Sequence, residues 1–94
     1  MADISLPGLF TQGFVSLIPS QRATVNRLLQ EGTIRCYSLS MDRSNLWVVL
    51  LAESRDDAEE LLATFPIMDH CTYVLKELMF HDMAAHELPR ISLN

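Results

Sequence analysis

Arg35 and Tyr37 stand two residues apart in a stretch rich in strand formers, so on a strand their side chains share a face, about 7 Å apart along the chain. An arginine placed this way can hold a carboxylate through two parallel hydrogen bonds. At a sheet edge, it equally suits an ion pair with a neighbouring subunit. Tyr73 and Glu77 repeat the pattern further on. A half-buried carboxylate at Glu77 has its proton affinity raised and can act as a base, whereas a solvated one simply pairs with an arginine. His70, next to Asp69, stands where a loop can bring it to a pocket mouth as acid or base, or leave it capping a strand in solvent. Trp47 beside a polar turn can stack on a planar ligand or pack in an interface. His81, Asp82 and His86 are close in sequence, but their spacing matches no zinc pattern, so no metal is expected. No serine has a nucleophile-elbow context, and no glycine-rich phosphate loop is present.

These residues need elements to position them, and the run from Leu28 to Ser54 supplies the organising one. Leu28, Leu29 and Val25 fall on one helical face, and Gly32 sits where a left-handed C-cap belongs. Thr33–Ser40 and the almost continuously apolar Leu46–Leu51 read as two strands. Asp42-Arg43-Ser44-Asn45 between them carries turn chemistry, which predicts an antiparallel hairpin. Before it, Leu9–Ile18 reads as a first strand and Gln21–Glu31 as a helix, with Ser20 as its N-cap. Met1–Gly8 shows no periodicity and is expected to be an arm. After it, Ser54-Arg55-Asp56-Asp57 caps a helix in which Ala58, Leu61, Leu62 and Phe65 recur at helical spacing until Pro66. Cys71–Phe80 reads as the fourth strand. The tail, residues 81–94, is too short for a domain and is expected to lie on a neighbouring subunit.

Strand, helix, strand, strand, helix, strand is the ferredoxin-like α+β arrangement, in which two helices cover one face of an antiparallel sheet. The uncovered face should not meet water, given an apolar content of 49 %, so a second copy of the chain is expected there. In the usual strand order, Cys36 and Cys71 lie on strands three spacings of ~4.8 Å apart, which leaves both thiols free within one chain.

Length and charge bound the function classes. Ninety-four residues make one domain that buries roughly 60–65 % of its unfolded surface. A net charge of −5 with one lysine, Lys76, argues against nucleic acid or an anionic membrane as partner. No run approaches the ~20 apolar residues of a membrane span. Met1–Ile18 lacks the basic start and long apolar stretch of a signal peptide. The expected compartment is therefore the cytoplasm, where two cysteines without CxxC spacing read as buried free thiols.

One resemblance adds to this. Leu29-Gln30-Glu31-Gly32-Thr33, then Arg35, the strand pair, Ser54 and Phe65-Pro66-Ile67-Met68-Asp69 resemble the muconolactone isomerase family and the wider dimeric α+β barrel group that includes YciI-like proteins. The resemblance spans Leu28–Tyr73, about half the chain, and its motifs are largely structural. It implies a barrel of two facing sheets, a pocket between sheet and helices or at the dimer seam, and assembly up to a decamer. It also implies cofactor-free proton transfer that shifts a lactone double bond. On that expectation Arg35 anchors a carboxylate, Glu77 or His70 moves the proton, and Tyr37, Trp47 and Tyr73 line the pocket. The family's aromatic and basic residues beyond the arginine are replaced here by Cys36, Ser38 and Leu39. The competing expectation is a non-catalytic ligand-binding or assembly module of the same barrel type.

Overall fold

The computed structural model describes residues 1–82. Four strands, β1 (Ala2–Ser5), β2 (Ile34–Leu39), β3 (Asn45–Leu50) and β4 (Thr72–Leu75), form one antiparallel sheet in the order β2-β3-β1-β4. Two helices, α2 (Ile18–Glu31) and α3 (Arg55–Ala63), follow β1 and β3, and a short helix α1 (Gln12–Val15) precedes α2. The order of strands and helices is compatible with a ferredoxin-like fold.

The first strand is a correction. Ala2–Ser5, expected to be an arm, lies in the sheet interior, with Ala2 opposite Val48 and Leu75 and Ile4 opposite Leu46 and Tyr73. Leu9–Ile18, expected to be that strand, instead contains α1 and the start of α2. Phe10, Phe14 and Ile18 satisfy the strand period of two, but they also satisfy the helical i, i+4 spacing. Thr11 decides between the two by capping: its side chain accepts from the Phe14 backbone N–H at 3.2 Å. Phe10 and Phe14 then pack with ring centroids 4.6 Å apart. Pro19 stands in the first turn of α2, where its missing N–H costs nothing.

The hairpin forms as expected, β2 antiparallel to β3. Its turn rests on Asp42, whose carboxylate accepts from the Ser40 hydroxyl at 2.8 Å, the Ser44 N–H at 3.0 Å and the Ser44 hydroxyl at 2.7 Å. These bonds hold the Asp42 carboxyl below its usual range. The residue in left-handed backbone is Arg43, at φ 62°, and not one of its Asx or serine neighbours. Gly32 ends α2 at φ 80°, closing the Leu28 and Leu29 carbonyls. The second helix has the predicted cap, with the Ser54 hydroxyl accepting from Asp57 N–H at 3.1 Å. The fourth strand is shorter than expected and stops at Leu75.

One core joins the sheet to both helices. Ala2, Ile4, Ile34, Leu46 and Val48 meet Val25 and Leu28 of α2, Leu62 of α3 and the following Phe65 and Ile67. By register, the opposite sheet face carries Asp3, Ser38, Thr72 and Cys36 together with Trp47, Val49 and Val74. Trp47 and Val74 are 36 % and 57 % exposed there. This face is therefore partly apolar rather than greasy throughout. Cys36 on β2 and Cys71 just before β4 sit at opposite sheet edges, and both are free.

Candidate functional site

The strand directions bring the start of β1, the start of β2 and the ends of β3 and β4 to one end of the sheet. There the first turn of α3 overhangs them, and a groove of about 550 Å³ opens between. Its apolar walls come from Val49, Leu50, Leu51, Ala58, Leu75 and Leu78. Its charged groups are Arg35, Arg55, Lys76, Glu53 and Glu77, with Ser54 and His81 beside them.

Arg35 reaches this groove because of a β-bulge. Ile34 faces Leu50 and Cys36 faces Val49, which leaves Arg35 as the extra residue of β2. A bulge re-aims the side chain it inserts. It also breaks the expected sharing of a face between Arg35 and Tyr37. Tyr37, opposite Val48, lies on the helix side in a separate hollow of about 290 Å³ with Arg22, Val25, Asn26 and Leu29. Its hydroxyl accepts from the Gln21 side-chain amide at 3.4 Å. Burial pushes the Tyr37 phenol above its ordinary range; the Gln21 bond acts the other way and the Cys71 thiol adds to the rise. Burial also raises Cys71 itself.

Tyr73 and Glu77 do not share a face either, because β4 ends between them. Tyr73 turns toward the core, and Glu77 lies beyond the strand, on the groove. His70 belongs to a 3₁₀ turn, Met68–His70, at the other end of β4. Its ring stands edge-on to Phe14 at 5.6 Å. Trp47 points from the uncovered sheet face. Of the six residues singled out by sequence, the fold thus brings Arg35 and Glu77 together and distributes the other four elsewhere.

Neither Arg35 nor Lys76 makes a side-chain ion pair or hydrogen bond among the described residues. Arg55 bridges Glu59 at 3.9 Å on exposed surface, a contact worth little. The groove thus collects three of the chain's seven cationic side chains against two carboxylates, whereas the whole chain has seven against twelve. That balance suits a small organic anion. Sequence reasoning missed Arg55, Lys76 and Glu53. Ser54 and Arg55 carried only a capping signal, and nothing local distinguished Lys76.

Gln21 was also missed. It is 4 % exposed, and while donating to Tyr37 it accepts from the Ile67 N–H at 3.5 Å, so it ties α2 to β2 and to the Phe65–Asp69 segment. Among the described residues no three His, Cys, Asp or Glu side chains cluster where they could hold a metal. No described helix is long and apolar enough to cross a membrane. His86 and most of the tail lie outside the described residues. No family model matches the chain, and no curated protein matches it.

Proposed function

We propose that this chain is a cofactor-free isomerase of the muconolactone isomerase type, which holds an unsaturated carboxylate or lactone acid in the sheet-end groove and moves a proton on it. One observation carries the reading: Arg35 and Glu77, on elements 42 residues apart in sequence, line the same cavity. Arg35 would bind the substrate carboxylate through its fork of N–H donors. Glu77 would take a proton from a carbon next to the carbonyl, and the electron pair would shift along the conjugated system. A proton would then return from Glu77 to the far carbon after exchanging with solvent on the carboxyl, so the double bond moves with no net oxidation. A second copy packed on the Trp47 and Val74 face would complete a dimeric barrel, with larger rings open to the same contact. The setting in this reading is cytoplasmic, with neither nucleic acid nor membrane as partner.

The exposure of Glu77 favours a second reading, a binding module that uses the groove without chemistry, because an open carboxylate leaves the reacting carbon unshielded from water. Proton exchange on unsaturated lactone acids in heavy water, followed by NMR, separates the two. The expected result is exchange above background that falls by about 10²-fold or more in Glu77→Gln and is unchanged in His70→Ala. Exchange at background level in the unaltered protein removes the isomerase and leaves the binding module.

A further inference from the structure

We infer that the ligand of the sheet-end groove is an amphiphilic monocarboxylate, an unsaturated or lactone acid of the proposed kind that carries an apolar chain or ring of roughly six to ten carbons. This rests on the groove being an organic-anion site, as proposed above, and narrows what that anion is.

Size is the first argument. The groove encloses about 550 Å³, within the roughly 300–1,000 Å³ of sites that take drug-sized molecules. An acid with six to ten carbons behind its carboxylate, about nine to thirteen non-hydrogen atoms each taking a water's ~30 Å³, occupies roughly half to seven-tenths of it, so the groove has room for a hydrocarbon body.

The lining is the second. Val49, Leu50, Leu75, Leu51 and Leu78 make the apolar wall of a groove whose lining is otherwise largely polar, and of these Leu51 and Leu78 are 65 % and 40 % exposed. A polar acid would leave that wall in water; a hydrocarbon body would cover it.

Charge is the third. Arg35 and Lys76, both without side-chain partners among the described residues, border the same wall. A carboxylate at one end of an apolar body matches this arrangement. A neutral lipid leaves the cations unanswered, and a dianion leaves the leucines bare.

The test titrates the full chain with straight-chain monocarboxylates of about four to ten carbons and with primary alcohols of the same lengths, by calorimetry and amide NMR. Acid affinity is expected to rise roughly twofold to fourfold per added methylene until the groove is filled. Acids should bind about tenfold more tightly than the matching alcohols, and Arg35→Met should remove most of that advantage. Leu51→Glu, at an exposed position, should flatten the dependence on chain length. Arg35-dependent binding with no chain-length trend overturns the amphiphile and leaves the anion site standing. Absence of acid binding, or binding indifferent to Arg35→Met, overturns both. Chain-length-dependent shifts centred on Val25, Leu29 and Tyr37, in the separate hollow, also overturn the inference.

Discussion

Arg35 owes its position to one unpaired residue in β2. Without the bulge, the alternation of a regular strand would place it on the same side as Tyr37; with it, the two side chains line different hollows. Spacing in sequence could suggest that both mattered but not that they part company, since a bulge depends on what pairs across the strand. Tyr37 gives a residue-scale prediction. Its phenol is charged only when deprotonated, and burial holds that step above the ordinary 10.0 in the folded chain. The unfolded chain therefore loses this proton first as pH rises. The contribution to stability is complete below pH 10.0 and is lost as pH climbs through the raised folded value. Urea unfolding from about pH 9 to about pH 11 should show this decline, and Tyr37→Phe should make it shallower. An unchanged slope in Tyr37→Phe would mean that the phenol is not held this way.

At the scale of elements, the legible parts were those written by near neighbours. The hairpin, Gly32 and the α3 cap each depend on residues within a few positions, and each formed as read. Ser54→Ala removes the hydroxyl that accepts from Asp57 and should cost about 1 kcal/mol, seen as a lower urea midpoint with an unchanged slope. Ser54→Asp should restore most of it, because it keeps an acceptor at the cap. The segment before α2 was misread because Phe10, Phe14 and Ile18 fit both periods. Four strand residues at Ala2–Ser5 were too few to display one of their own.

Across the whole molecule, β1 joins the two halves, pairing with β3 on one side and β4 on the other. Ile4 is fully buried among residues of both. Ile4→Ala should cost about 2–5 kcal/mol, a large share of the roughly 5–15 kcal/mol by which domains are stable. Chemical denaturation should show it as a far larger loss than Ser54→Ala. The uncovered sheet face sets the other prediction at this scale. On the proposed barrel, sedimentation of the unaltered protein at micromolar concentration should show a dimer, and Trp47→Glu should shift it toward monomer by placing a charge on that face. A wild-type monomer at such concentrations would remove the barrel and the second copy with it.

From sequence alone came the class of fold, the hairpin and its turn residues, the capped second helix, the separation of the two cysteines and the choice of Arg35 and Glu77 as candidates. Each follows from periodicity, capping or charge within one segment, and such signals need no knowledge of what the segment will touch. Which strand lies in the sheet interior, where the bulge falls, and which charged groups surround one cavity were settled only by tertiary structure. Those features arise when strands far apart in the chain choose their register, and that choice depends on the packing of a core shared by every element.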